Sequence, residues 1–268
     1  MTFMTQLEAL LGPLKVRPVA GGSINQALRA ETRDGPVFVK HLPQAPPGFF
    51  AAEADGLARL APHVRTPRVI AVLDEGLVLE WIEPRPTGRS GVMAAAGRAL
   101  AGLHRVHGER FGLERDNFIG AVPQDNRAAS DTTFATFFRE RRVAPLAVHL
   151  PPDLRKRLEA MRWVLTESPP ALIHGDLWSG NLITSAEPVF IDPATCFGHP
   201  EQDLAMTRLF GGFGDVFYDA YREASGWVFD RDFEDRIAQL TLYPLLVHVA
   251  LFGASYLDDV RRVIARFG

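Results

Sequence analysis

The positions richest in chemistry are His174-Gly175-Asp176-Leu177-Trp178-Ser179-Gly180-Asn181, with Ile191-Asp192 a short way on. Asp176 and Asn181 stand five positions apart, and Asp192 follows eleven after Asn181, at the end of the apolar run Val189-Phe190-Ile191. With Ala171-Leu172-Ile173 in front, the pattern reads strand, loop, strand, and delivers two carboxylates and a carboxamide to one end. A hydroxyl is a poor nucleophile, so phosphorylating one calls for a carboxylate that takes its proton late in transfer. A magnesium ion bridging phosphates wants hard oxygen ligands, a carboxylate and an amide carbonyl. The three residues suit phosphoryl transfer. A polar turn between two core strands is the plainer account of the same residues.

The spacing matches the H-R-D-x-x-x-x-N loop and later metal-holding Asp of protein kinases. Such a centre also needs a cation for the phosphates, positioned by other elements. Val16–Val19 and Ala27–Thr32 read as strands joined through Ala20-Gly21-Gly22-Ser23-Ile24-Asn25. Glycine lets backbone N–H groups approach a phosphate closely, although Gly-Gly between strands is more often just a hairpin. Asp34-Gly35 is a hairpin turn, and the strand after it ends in Lys40. Alone, Lys40 is a solvated strand end; in this company it is the cation for the α- and β-phosphates. A helix over Phe50–Leu60 carries Glu53, either an exposed acid or the partner that fixes the Lys40 rotamer. Two more strands, 68–73 and 76–82, flank Asp74-Glu75-Gly76. Glu83-Pro84-Arg85-Pro86 then ends regular structure, so residues 1–83 form one lobe, 80–86 a hinge and 87–268 a second lobe. The backbone around Glu80 and Ile82 is placed to pair with an adenine edge.

The remainder is predicted to be mainly helical. Val92, Ala96, Ala99, Leu100 and Leu103 share one helical face, and further helices are expected over 134–146, 153–165, 200–210 and from Phe233 onward. Pro244 either kinks the last of these or starts a new helix. His248 lies there, and by spacing alone is structural.

Composition narrows the setting. Of 268 residues 47% are apolar, enough for a sizeable core, and the net charge of -3 without a basic run argues against nucleic acid or an anionic membrane as main partner. The opening residues lack a basic segment followed by an apolar one, and no apolar stretch reaches the roughly 18 residues that span a bilayer. The single cysteine, Cys196, forms no internal disulfide, which suits a reducing, cytoplasmic setting.

At this level of detail the chain resembles the fructosamine kinase (ketosamine kinase) family. The resemblance rests on His174–Asn181, Gly21-Gly22-Ser23-Ile24-Asn25, Phe38-Val39-Lys40, Ala52–Leu57, Leu77–Glu80, Ile191–Ala194, Gly198-His199, Asp203–Met206, Leu209–Phe213, Leu245–His248 and Phe252-Gly253. It implies an α+β, two-lobed protein-kinase-like fold with a small antiparallel-sheet lobe and a larger helical one. The implied activity is ATP-dependent phosphorylation, with Mg2+, of a sugar hydroxyl (the 3-OH) of ketosamines, as small molecules or as glycated lysines on proteins. Carried across, Asp176 is the base, Asn181 and Asp192 hold magnesium, and Lys40, positioned by Glu53, binds phosphate beside Gly21, Gly22 and Ser23. Trp178 stacks on the sugar, His248 faces the substrate, and Asp203 braces the catalytic loop. The Trp178-Ser179 pair separates this family from aminoglycoside phosphotransferases and choline kinases, the alternative of the same fold; a nucleotide-binding regulator without turnover is the alternative of another class. Two departures stand out. Ser23 replaces a cysteine common in eukaryotic members, leaving a redox switch there unsupported, and Thr195-Cys196-Phe197 replaces a segment that is commonly aromatic-rich.

Overall fold

Alternating burial and turn chemistry build the first lobe. The computed structural model describes residues 2–19, 24–85, 89–127 and 132–268. Thr2 accepts the Thr5 N–H at 3.2 Å to cap helix α1 (Phe3–Leu11), and Gly12 ends it at φ 76°. Strands β1 (Lys15–Pro18), β2 (Gln26–Thr32) and β3 (Gly35–His41), helix α2 (Phe49–Leu60), then β4 (Val69–Leu73) and β5 (Gly76–Glu80) follow. The five strands form one antiparallel sheet in the order β1-β2-β3-β5-β4. Because strand side chains alternate, the sheet buries both faces. Phe3 and Leu7 of α1 cover Val37, Val39 and Val78, while Phe49, Phe50 and Leu57 of α2 cover Leu77 and Leu79.

The second lobe is mainly helical. It runs through α3 (Arg89–Leu103), the hairpin β6 (Asn117–Ile119) and β7 (Val122–Gln124), α4 (Phe134–Phe137), α5 (Pro152–Glu159), β8 (Ala171–Ile173), β9 (Leu182–Thr184), β10 (Pro188–Phe190), β11 (Cys196–Gly198), α6 (Glu201–Leu209), α7 (Asp215–Ser225), α8 (Phe233–Leu240), α9 (Leu242–Phe252) and α10 (Leu257–Phe267). Strands β8 and β11 pair, as do β9 and β10, which brings the segment around Asp192 back beside the His174–Asn181 loop. α3 and α7 pack so closely that a Cβ on Gly97 would run into the Phe217 backbone.

Several expected elements differ in detail. The helix over 134–146 is a short α-helix, a π-helical turn over Phe138–Val143 and a 3-10 turn over Ala144–His149. The helix expected over 153–165 stops at Glu159, and residues 161–170 form no regular element before β8. The strand after Gly76 ends at Glu80. The β6–β7 hairpin leaves no signal in the sequence, since three-residue strands carry too little periodicity. Pro244 is the third residue of α9, where a proline costs no helical hydrogen bond, so it starts a new helix rather than kinking an old one. The expectation that no stretch is apolar enough to span a bilayer also needs correction. The helical run Phe233–Phe267 qualifies by length and composition, with a window of mean hydropathy 1.6, but 61% of that window is buried within the protein. Its apolarity forms the core of the second lobe, through Leu240, Leu242, Leu245, Leu246 and Val249.

Candidate active site

Lys40, Glu53, Asp176, Asn181, Asp192, Trp178 and His248 line a single cleft of about 870 Å³ between the sheet lobe and the helical lobe. β3 delivers Lys40 and α2 delivers Glu53. Lys40 Nζ lies 2.7 Å from Glu53 Oε1 and 2.7 Å from Asp192 Oδ1. Burial pushes the Lys40 ammonium down, but the Asp192 and Glu53 carboxylates outweigh it and hold the group above its ordinary value, charged at any working pH. α2 is held against the second lobe: Arg115 reaches Asp55 at 2.5 Å, Arg59 pairs with Glu114, and a Cβ on Gly56 would stand 3.2 Å from Pro193. The Lys40–Glu53 pair is therefore anchored from both lobes.

Asp176 sits in the loop between β8 and β9. Asn181 Nδ2 donates to its backbone oxygen at 2.8 Å and to its carboxylate Oδ2 at 3.0 Å. Both partners are acceptors, so the amide must present its NH2 to Asp176 and direct its carbonyl oxygen elsewhere. Burial first, and the Asp192 charge second, push the Asp176 carboxyl well above its usual range, with Asn181 and Lys40 pulling the other way. Asp192 adopts φ 56°, a left-handed conformation uncommon for a residue with a side chain.

The loop is braced from below by buried groups. Asp203 accepts the His174 and Gly175 N–H groups, each at 2.8 Å, and lies 3.1 Å from His104 Nε2, whose Nδ1 meets the Tyr221 hydroxyl at 2.9 Å. Burial opposes ionisation of Asp203, yet these donors hold its carboxyl below the usual range. His174 donates from Nε2 to the Ile191 carbonyl at 3.0 Å and accepts the Asp176 N–H at Nδ1, tying the His174–Asn181 loop to the segment that ends in Asp192. Burial keeps this imidazole neutral. Gly175 has φ 84° and a Cβ there would strike the Ala194 carbonyl, so only glycine lets the two segments meet. His104 and Tyr221 escaped notice in the sequence because they lie far from the loop along the chain and carry no motif.

One end of the cleft is aromatic. Trp178 packs against Phe210 (6.2 Å between centroids), Phe210 against His248 (5.0 Å), and His248 against Tyr256 (4.7 Å) and Phe252 (5.5 Å). His248 Nδ1 donates to the Pro244 carbonyl at 2.7 Å, so Nε2 is left as an acceptor. At the other end Glu80 and Ile82 also line the cleft, but the Glu80 carboxylate is engaged by Arg65 at 2.6 Å and by the Arg68 N–H at 3.1 Å. Gly21, Gly22 and Ser23 lie outside the described residues, as does part of the 80–86 hinge.

A five-stranded lobe over a helical lobe, with a buried Lys–Glu pair and a loop carrying Asp and Asn, defines the protein-kinase-like phosphotransferases. The fructosamine kinase family model matches residues 3–267. A protein of Enterococcus faecium named as a probable ketoamine kinase is 36% identical, with 100% of each chain covered. A chloroplastic protein-ribulosamine 3-kinase of Arabidopsis thaliana is 33% identical over 93% of this chain and 81% of its own. A crystal structure from Thermobifida fusca, described as a candidate fructosamine-3-kinase, superposes with a TM-score of 0.85 at 34% identity, covering 99% of both chains. A macrolide 2'-phosphotransferase of Brachybacterium faecium, 20% identical with a TM-score of 0.64 over 97% of both chains, shares the fold. The chain belongs to the fructosamine kinase family and is a phosphotransferase. Enzymes of this fold use ATP with a divalent cation in general.

Proposed function

We propose that this enzyme transfers the γ-phosphoryl group of ATP to a sugar hydroxyl, the 3-OH, of a ketoamine, as a free small molecule or a glycated lysine side chain. The observation that carries the reading is the gathering of Lys40, Asp176, Asn181 and Asp192 in one cleft with an aromatic acceptor end. Asp176 takes the hydroxyl proton as the oxygen attacks phosphorus. Lys40, fixed by Glu53, neutralises the α- and β-phosphates. Gly21, Gly22 and Ser23 supply backbone N–H groups to the phosphates. The backbone near Glu80 and Ile82 receives the adenine: Ile82 N–H and C=O have no backbone partner among the described residues.

The donor set fits Mg2+. Asp192 Oδ1 meets Lys40, while its side chain is 34% exposed to the cleft, and no hydrogen bond reaches Asn181 Oδ1 among the described residues. Among those residues no group of three His, Cys, Asp or Glu side chains could hold a metal ion by itself, which suits a cation bound through one carboxylate and one amide oxygen. Asp192 and Asn181 would hold it, and it would draw negative charge from the phosphates. Trp178 stacks on the sugar, and His248 offers Nε2 to an acceptor N–H or O–H.

The same-fold alternative, an aminoglycoside or choline-type acceptor, is not favoured. A polycationic aminoglycoside calls for clustered carboxylates, whereas the aromatic end of the cleft is framed by Trp178, Phe210, His248, Phe252 and Tyr256; against a choline-type acceptor stand the Trp178-Ser179 pair and the family match. The boundary near residues 80–86 serves as the hinge between lobes. The single, buried Cys196 suits a reducing compartment, which we take to be the cytoplasm. A panel of ketoamines incubated with Mg-ATP tests the reading: acceptor-dependent ATP consumption supports it, and nucleotide binding without acceptor-dependent consumption favours a regulator instead.

A further inference from the structure

Behind the Asp192 segment runs a buried chain of amides that begins at a buried arginine. The π-helical turn over Phe138–Val143 turns Arg142 inward, where it is 1% exposed, stacks 4.6 Å from the centroid of Phe137, and pairs with no carboxylate among the described residues. A guanidinium only donates, so Asn126 must present its carbonyl oxygen to it, at 2.6 Å from Arg142 Nη2. The other end of Asn126 then has to donate, and Nδ2 reaches Asn117 Oδ1 at 2.6 Å. Asn117 must in turn direct its Nδ2 onward, and it reaches the Thr195 carbonyl at 2.9 Å. Gln124 Nε2 shares Asn117 Oδ1 at 2.9 Å and meets the Ala194 carbonyl at 3.2 Å, while its Oε1 accepts from the Tyr243 hydroxyl at 2.8 Å.

The orientation of every amide is thus dictated from one end by a group that cannot accept. The chain terminates on the two carbonyls that lie two and three residues beyond Asp192. That residue holds φ 56°, and such a conformation persists only where its surroundings over-determine it. We infer that Arg142 and the Asn126–Asn117–Gln124 amides form a positioning relay that keeps the Asp192 segment, and with it the Asp192 carboxylate, in register with Lys40 and Asp176. The inference rests on the proposed role of Asp192 in the reaction.

Asn126→Asp separates positioning from plain stability. A carboxylate gives Arg142 an ion-pair partner but cannot donate to Asn117. The relay predicts, for the folded fraction, a kcat reduced about 10- to 100-fold, a ketoamine KM within about twofold, and faster hydrogen exchange across residues 191–197 in the ligand-free protein. Wild-type kcat and wild-type exchange in this variant would overturn it. If Asn126→Asp does not fold, Gln124→Met, which keeps volume and removes the donor to Ala194, must speed exchange in the same segment and lower kcat; unchanged exchange overturns the relay. Failure of the underlying role shows up differently, as Asp192→Asn retaining full activity whatever the exchange data say.

Discussion

Lys40 Nζ stands 2.7 Å from Asp192 Oδ1, so the sheet lobe and the loop of the helical lobe meet in an ion pair at the centre of the cleft. The same ammonium holds Glu53 at 2.7 Å, and both Lys40 and Glu53 are largely withdrawn from water. Lys40→Met should therefore act twice. It leaves a buried carboxylate without its cation, which costs about 3–5 kcal/mol of stability, and it removes the charge that faces the phosphates. Thermal unfolding and ATP titration on the folded fraction separate the two effects. Wild-type Tm together with wild-type ATP affinity would contradict both.

Asp176→Asn should lower kcat about 10²- to 10⁴-fold while nucleotide binding survives, since a carboxamide accepts no proton. The variant also tests the raised carboxyl pKa. A group whose folded pKa lies above its unfolded value contributes stability below the unfolded value, about 3.9 for Asp, and loses it as pH rises through the folded value. Above that window the charged Asp176 is a burden on the folded state that Asn does not carry. The variant should gain Tm over wild type as pH rises toward neutrality and show no gain near pH 3 to 4. A pH-independent difference would remove burial of charge as the cause.

Trp178→Ala should raise the ketoamine KM about tenfold, equivalent to about 1.4 kcal/mol of lost ring contact, and leave the ATP KM near wild type. Equal changes in both would take Trp178 out of the acceptor end.

Gly175→Ala should be poorly tolerated. The left-handed backbone costs about 1–3 kcal/mol with a side chain, and the added methyl meets the Ala194 carbonyl. Turnover should fall with stability, because the clash separates the Asp176 loop from the Asp192 segment. A stable, fully active variant would show that the two segments need not touch.

Away from the cleft, Arg236 donates twice to Glu201, at 2.8 and 2.7 Å, with both side chains buried. Glu201→Ala should cost about 3–5 kcal/mol, read by denaturant unfolding, and leave the KM values of the folded fraction unchanged. A loss below 1 kcal/mol would mean the pair is dispensable.

That Asp176, Asn181 and Asp192 meet in one cleft was legible because they lie within one short stretch bounded by apolar strands. The sheet lobe was legible from its alternation and its Asp34-Gly35 turn. The support behind the site was not. Asn117 and Gln124 sit on three-residue strands with no period to detect. Arg142 belongs to the run Arg139-Glu140-Arg141-Arg142, which reads as a solvated face until a π-helical turn rotates one arginine into the core. Asp203 entered through the family resemblance, but its partners His104 and Tyr221 join it across about a hundred positions of chain, a proximity set by the packing of α3 on α7 rather than by any pattern.

The most direct test is mass spectrometry of a ribulosamine and a fructosamine lysine derivative after incubation with Mg-ATP and either wild-type enzyme or Asp176→Asn. The predicted result is a gain of one phosphoryl group on the sugar with wild type and almost none with the variant. ATP consumption without a phosphorylated ketoamine, or equal phosphorylation by both proteins, would contradict the reading.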